Sequence, residues 1–443
     1  MPVEDLSLPD QRPLDDKTLF RISPFLSDLV GKGTWKDLPQ PPADGWPDAS
    51  DQSFDLSARR FRREPRQRLA DPEAALIQLR RLRVRTLLQI AGDDLAGRIK
   101  PYQIRARLRS LAETMVQGAW WVAETCLRER YVHPLVLERR NINPPMAIFS
   151  LSRLGAGEPW YTTGPAPIFV HSRAAEFAPA LTEKDFAQAR RSGKEWPPAR
   201  EYFHRLARRT LSYLSVPDPA GKGFEPMAED ASPEDSTPLL PGSLVVLFSA
   251  FEEHFLGRRP VKEKLSLIRL RFLVGQEKLG RAVESAAREA LRRTAQELGR
   301  RVRAGLKAWY HDRARAENLP LSPGSLLDLE RTIRLAQFTY GADDADFLDP
   351  SPLRALDRLT EAGVIGAEGR LVLNRSYSYQ WFLVNRLSLF GLRSASVWEE
   401  LRQGRLDGRI GLPGAAERSS RLMKEAREAL AELGRKVKAA DSV

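Results

Sequence analysis

Apolar residues recur at helical spacing over most of this chain and reach strand-like density in only a few short runs. From about Asp71 to Arg130 the pattern predicts helices. Leu76, Leu79, Leu82, Leu87 and Ile90 fall mostly on one side, and Pro101 suits the first turn of a second helix. Residues 143–171 change texture. Two apolar runs, MAIFSL and IFVH, flank a Gly/Pro/Thr-rich connection, which predicts two short strands. A third run, SLVVLF from Ser243, reads as a strand or as the opening of a helix. The acidic segment 216–242 holds six prolines and six acidic residues, too little apolar material for a packed element. Beyond Lys262 the spacing predicts helix nearly to the end. Lys278 to Asn318 has no proline, Pro320, Pro323 and Gly324 make a break, and Ser325 is a candidate cap for the next helix. A strongly charged last helix is expected over roughly Ala415 to Lys438. The architecture this implies is α+β and mostly helical. An N-terminal helical region (1–135) and a C-terminal helical domain (276–443) flank a small mixed-sheet core (136–275) that carries loop 216–242.

Composition then narrows the function classes. The 443 residues carry 70 Lys+Arg against 58 Asp+Glu, a net charge of +12. Arginine clusters early, with Arg59, Arg60, Arg62, Arg63, Arg66 and Arg68 followed by Arg80, Arg81, Arg83 and Arg85. Such a stripe grips phosphate in a nucleic-acid binder, or forms a solvated helix face answering local carboxylates. The aromatic interleaving of a single-strand binder is absent apart from Phe61. No run approaches the roughly 18 apolar residues of a membrane span. The N-terminus, MPVEDLSLPDQ, is acidic and lacks the apolar stretch of a secretory signal. One cysteine, Cys126, fits a reducing cytoplasm, and five histidines leave little material for structural zinc. A cytoplasmic protein without a membrane segment is expected.

The segment MAIFSLSRLGAGEPWYTTGPAPIFVHS resembles the nucleotidyltransferase motif of bacterial glutamine synthetase adenylyltransferases, where a G-K-L-G-G-x-E-L loop precedes an S-D-x-D strand. Leu154, Gly155, Glu158, Tyr161, Ile168 and Phe169 stand where that pattern has like residues, with Arg153 for the family lysine. SPFLSDL from Ser23, LRRLRVRTLLQIAGDDL from Leu79, EYFHRLARRTLSYLS from Glu201, SPGSLLDLE from Ser322 and NRSYSYQWFLVNRLSLF from Asn374 resemble further family segments in the same order. The chain is similar to about one half of a long family member, and the resemblance makes the core nucleotidyltransferase-like.

The implied chemistry is where the match breaks. In the family, carboxylates on adjacent strands hold two magnesium ions that align ATP for adenylyl transfer. The corresponding positions here are Gly164, Ala166 and Met227, none of which offers a metal ligand, and Pro165 and Pro167 remove two backbone donors. A metal site is therefore not expected, and ATP and Mg enter only if carboxylates elsewhere take over. Glu158, Asp230, Asp328 and Glu330 are the candidates, although a cap or a salt bridge explains Asp328 and Glu330 equally, and Glu158 suits a loop cap. Arg153, Gly155, Gly157 and Thr163 are candidate phosphate contacts, and a plain two-glycine turn is the alternative. Three functions follow from the resemblance and the charge. The first is a catalytically inactive homologue that binds a protein or nucleotide in nitrogen regulation. Its candidate partners are glutamine synthetase, a small nitrogen-signalling protein or an active paralogue. The second is an active adenylyltransferase with relocated carboxylates, and the third a basic nucleic-acid-binding protein.

Overall fold

A computed structural model describes Ser23 and residues 72–131, 145–162, 164–172, 187, 191, 193–195, 197, 199–215, 244–257, 261–296, 300–316, 319–341, 344–392, 395–408 and 410–440. Among these, the two early helices are α1 (Pro72–Leu95) and α2 (Pro101–Arg130), packed as a pair. Pro101 sits in the first turn of α2, and the Lys100 N–H donates to the Gln103 side chain, which satisfies one of the orphan donors there. Leu79, Leu87 and Ile90 of α1 are buried, as their spacing predicts. Its arginines are not all on the solvent side, because Arg83 is buried and among residues 80–85 only Arg81 is exposed. The run from Arg59 to Arg68 lies outside the described residues.

The core is a four-stranded mixed sheet of order β3-β2-β1-β4. Strand β1 (Met146–Ser150) lies antiparallel to β2 (Pro167–His171), with Met146 opposite His171 and Ser150 opposite Pro167. Strand β3 (Val245–Leu247) runs parallel to β2. All five residues of β1 are buried, which is why MAIFS is apolar without alternation. The run from Ser243 is both things its sequence allowed, since β3 leads straight into helix α4 (Phe248–Leu256). The fourth strand, β4 (Arg271–Gly275), corrects the expectation of helix from Lys262 to the break at Pro320. It pairs antiparallel with β1 across a bulge between Ile148 and Phe149. Five residues are too few for periodicity to separate a strand from a helix turn, so RFLVG carried no clear sign of its state.

Helices enclose the sheet. α3 (Ala199–Ser215) and α4 pack on β2, while α2 and α6 (Glu277–Gln296) pack on β4. The short α5 (Val261–Ser266) adjoins both α6 and α7 (Arg300–Ala316). The C-terminal region comprises α8 (Leu326–Tyr340), α9 (Pro352–Glu361), α10 (Ala367–Leu389), α11 (Ala395–Arg402) and α12 (Ala415–Ala440). From Ser376 to Leu389, α10 is buried on every side, the mark of a central helix. Its buried Ser376, Ser378, Gln380, Asn385, Arg386 and Ser388 all hydrogen-bond to other groups, so their polarity is compatible with that position. Among the described residues no helix is long and apolar enough to cross a membrane.

Candidate functional site

The loop after β1 starts from Ser150, which is fully buried. Its hydroxyl donates to the Pro165 carbonyl and lies 3.0 Å from the Ser152 hydroxyl, tying the end of β1 to the entry of β2. From there the chain closes on itself. Gly155 N–H and Gly157 N–H donate to the Ser152 and Leu154 carbonyls, and Glu158 N–H donates to the Arg153 carbonyl, each at 2.9 Å. The Leu154 N–H points to the Ser152 hydroxyl at 3.2 Å. Backbone donors that a phosphate cradle would aim at an anion are thus spent inside the turn.

The two glycines have separate physical reasons. A Cβ on Gly155 would stand 1.8 Å from the Arg269 carbonyl oxygen and 2.6 Å from that of Ser150, so backbone meets backbone there. Gly157 has φ +78°, a region that side chains disfavour. The family metal positions Gly164 and Ala166 lie just before β2, within reach of the Ser150–Pro165 contact. Ala166 itself has φ +42°, the one non-glycine residue with positive φ among those described. Thr163, Met227 and Asp230 lie outside the described residues.

Below this loop, six charged side chains that are distant in sequence form one buried ionic cluster, bridged by Tyr377. Glu330, on α8, receives Arg153 on Oε1 at 2.9 Å and both Arg269 and Arg313 on Oε2 at 2.8 and 2.6 Å. Three guanidiniums outweigh the cost of burial and hold the Glu330 carboxyl well below its usual pKa. Glu158 receives Arg105 at 3.3 Å and the Tyr377 hydroxyl, whose oxygen is also 3.2 Å from Glu330. Here burial wins. With one arginine and the nearby Glu330 charge, the Glu158 pKa is raised. Arg153, the candidate phosphate contact, spends its charge on Glu330 and has its guanidinium carbon 4.0 Å from the centre of the Trp160 ring, with only 4% of its surface exposed. The Glu158 carboxylate faces Arg105 and Tyr377 and not the loop amides that its sequence position suggested it would cap. Burial beside Arg105 gives the carboxylate a stronger partner than the loop amides.

Asp328 does act as a helix-end group. Its carboxylate accepts the Gly324 N–H at 2.9 Å and pairs with Arg331 at 2.5 Å. Ser325 occupies the cap position, but its hydroxyl turns to the Pro320 carbonyl and makes no cap bond. A second cluster joins the early helices to the far end. Arg386 of α10 meets Asp94 of α1 at 2.6 Å, Asp94 accepts the Tyr161 hydroxyl at 2.9 Å, and Asn385 accepts the Tyr161 N–H at 3.0 Å. His171 is buried and stacked on Phe203, and the Cys126 sulfur accepts a long hydrogen bond from Tyr213.

Sequence reasoning had picked Arg153, Glu158 and Glu330, which the fold brings together, while Asp328 stands apart at its helix end. It missed Arg105, Arg269, Arg313 and Tyr377. The weak sign was a charge inside an apolar run, as with Arg269 in LIRLRFLVG, but its partner lies 61 residues on. Among the described residues no group of three or more His, Cys, Asp or Glu side chains is arranged to hold a metal ion. The residues present at Gly164 and Ala166 do not fit the magnesium pair of the resemblance.

A mixed sheet enclosed by helices, with a glycine loop between its first two strands, defines a mostly helical α+β protein. Residues 44–286, more than half of the chain, match the glutamate-ammonia ligase adenylyltransferase family, and the chain belongs to that family. Residues 284–439 match the family described as GlnD PII-uridylyltransferase. Relatives named bifunctional glutamine synthetase adenylyltransferase/adenylyl-removing enzyme include that of Thioalkalivibrio sulfidiphilus, 25% identical over 72% of this chain and 32% of that protein. The Pseudomonas aeruginosa enzyme is 23% identical over 90% of this chain and 41% of its own length. The Mycobacterium avium enzyme is 26% identical over 75% and 30%. The chain thus spans roughly a third to two fifths of these relatives.

Proposed function

We propose that this protein is a catalytically silent member of the adenylyltransferase family that works in the cytoplasm by binding a protein partner or a nucleotide in nitrogen regulation. The observation that carries the reading is the replacement of two metal-ligand positions by Gly164 and Ala166, at the entry to β2 where the family chemistry needs carboxylates. Three further features support it. The loop amides are bonded within the turn, Arg153 is neutralised by Glu330, and the remaining carboxylates are committed elsewhere. Glu330 is held by three arginines, Glu158 by Arg105 and Tyr377, and Asp328 by Gly324 and Arg331. Drawing Glu330 or Glu158 to a metal would leave buried guanidiniums unpaired. Relatives named for action on glutamine synthetase make that enzyme the first partner to try.

The test incubates the full chain with labelled ATP, magnesium and glutamine synthetase, and separately passes the synthetase over immobilised chain. Retention of the synthetase without transfer of label is the expected result. Stoichiometric labelling of the synthetase would overturn the reading.

A further inference from the structure

Most of the described helices answer some of their own basic side chains with a carboxylate one turn away. Arg128 pairs with Glu124, Arg205 with Glu201, Arg292 and Arg293 with Glu289, Arg358 with Glu361 and Arg402 with Glu399. Helix α1 is built differently. From Ala74 to Gly92 it holds four arginines and no acidic residue. The two aspartates that follow are buried and engaged, Asp93 by Arg98 and Arg107 and Asp94 by Arg386. Local carboxylates therefore do not account for the arginines of this helix.

The four arginines divide into two pairs. Arg83 is buried, and both it and Arg80 engage other groups. Arg81 is exposed and Arg85 half-buried, and neither makes a hydrogen bond or ion pair with another described residue. They stand one turn apart on the helix. The same face carries apolar surface. Ile77, one turn before Arg81, has 40% of its surface exposed, a large fraction for a side chain of its kind. Leu88 is half-buried, and a Cβ on Gly92 would meet nothing within 4 Å. Positions 77, 81, 85, 88 and 92 follow at steps of three or four, so they form one stripe, basic in the middle and apolar or bare at both ends. A nucleic-acid backbone would answer the charge of this stripe but not its apolar ends, and α1 has no aromatic residue on which a base could stack. An amphipathic helix bearing carboxylates answers both.

We propose that the outer face of α1 docks an acidic amphipathic helix of the protein partner, with two carboxylates one turn apart meeting Arg81 and Arg85 and apolar side chains covering Ile77 and Leu88. This docking names the chemistry of the partner in the binding function put forward above, and it rests on that reading. Each guanidinium can take a carboxylate bidentately. Ion pairs left in open water would contribute little, so the apolar ends matter as much as the charges, because they exclude the water that screens the pairs.

Fluorescence anisotropy with the full chain tests it at about 0.15 M salt, where distant charges are screened. The probe is a labelled synthetic helix with two glutamates four residues apart between leucines. Its counterparts carry glutamines or lysines in place of the glutamates, and a short DNA duplex serves as the rival ligand. The chain is expected to bind the acidic helix at least about tenfold more tightly than the glutamine helix. R81E and R85E together weaken that binding by about a hundredfold and create affinity for the lysine helix, a reversal that a general loss of structure could not produce. I77S weakens it by about fivefold with both arginines intact. Because Arg81 is exposed, R81Q, with a loss of about tenfold, remains informative if the double variant fails to fold. No binding of the acidic helix by the unaltered chain overturns the proposal, as does unchanged binding in a folded double variant or R81Q. Tighter binding of the DNA duplex, lost in the same variants, overturns it in favour of nucleic acid. Labelling of glutamine synthetase would defeat the silent reading without touching these results. Failure of the acidic helix while the synthetase is still retained would defeat the α1 face alone.

Discussion

Replacing Glu330 by glutamine removes the one charge that answers three buried guanidiniums, and the cost can be set against a matched change at Glu158. Glu330 binds Arg153, Arg269 and Arg313 at 2.6–2.9 Å, and all four side chains are almost fully buried. Breaking a buried ion pair by removing one partner costs about 3–5 kcal/mol, because the surviving charge is left desolvated. Here three charges survive, so E330Q is expected at or above the upper end, a lowering of the melting temperature of roughly 5–10 °C or more. E158Q leaves one arginine, Arg105, and a tyrosine hydroxyl that an amide oxygen still satisfies, so about 1–3 kcal/mol is expected. The pH profiles should have opposite slopes. The depressed Glu330 pKa means its stabilisation is present above the unfolded value near pH 4.3 and is lost as pH falls through the folded one. The raised Glu158 pKa means the reverse. Its contribution is fully present below about pH 4.3 and is lost as pH rises through the folded value, so the E158Q penalty shrinks toward neutrality. Urea unfolding followed by circular dichroism at several pH values between about 4 and 8 measures both. Equal costs for E330Q and E158Q, or parallel pH profiles, would refute the assignment of the cluster charge to Glu330.

Other substitutions probe the loop and its anchors. Gly155→Ala puts a methyl into two backbone carbonyls and should cost about 3 kcal/mol or prevent folding, read as lost soluble yield and lowered urea midpoint. Gly157→Ala meets only guanidiniums at 3.5 Å or more, so its cost is the backbone strain of positive φ, about 1 kcal/mol in the same assay. Ala166→Val places a β-branched residue at φ +42° and should destabilise by about 1–2 kcal/mol, whereas Ala166→Gly should be neutral or slightly stabilising. Asn385→Ala leaves the buried Tyr161 N–H without its acceptor and should cost about 1–3 kcal/mol.

How much of this was legible in the sequence follows from the range of the forces involved. Leu79, Leu87 and Ile90 could be placed because helical spacing is a local property, and β1 because MAIF is an unbroken apolar run in a segment bounded by proline and glycine. RFLVG was lost to helix because a strand of five residues at a sheet edge takes its state from β1, which lies over a hundred residues earlier. The polar face of α10 read as ordinary helix. Nothing local says that Tyr377, Asn385 and Arg386 point into the protein, since their partners Glu158, Tyr161 and Asp94 lie 219 to 292 residues away. The same distance hid the meaning of Arg153 and Glu330. Each looked functional alone, an arginine beside a glycine turn and a carboxylate near a helix start.

Their pairing also says how the loop is held without carboxylates at positions 164 and 166. A two-metal site concentrates negative charge that the ions must neutralise, and losing the ligands removes that need. The charges that remain near the loop are balanced differently, with Glu330 holding the loop through Arg153 and the sheet end through Arg269. Asp94 and Arg386 fasten the opposite side through Tyr161. Two side chains of one helix, Tyr377 and Arg386, thus reach both clusters, so α10 spans the loop from below. Loop shape is then set by ion pairs that no substrate or metal would need to complete. In such an arrangement Gly164 and Ala166 can lack ligands without loosening the fold around them. That separation predicts that G164D and A166D together alter the stability of the core far less than E330Q alone, because neither new carboxylate removes a partner from a buried arginine. A stability loss in the double variant equal to that of E330Q would mean instead that the entry of β2 is part of the same charge balance.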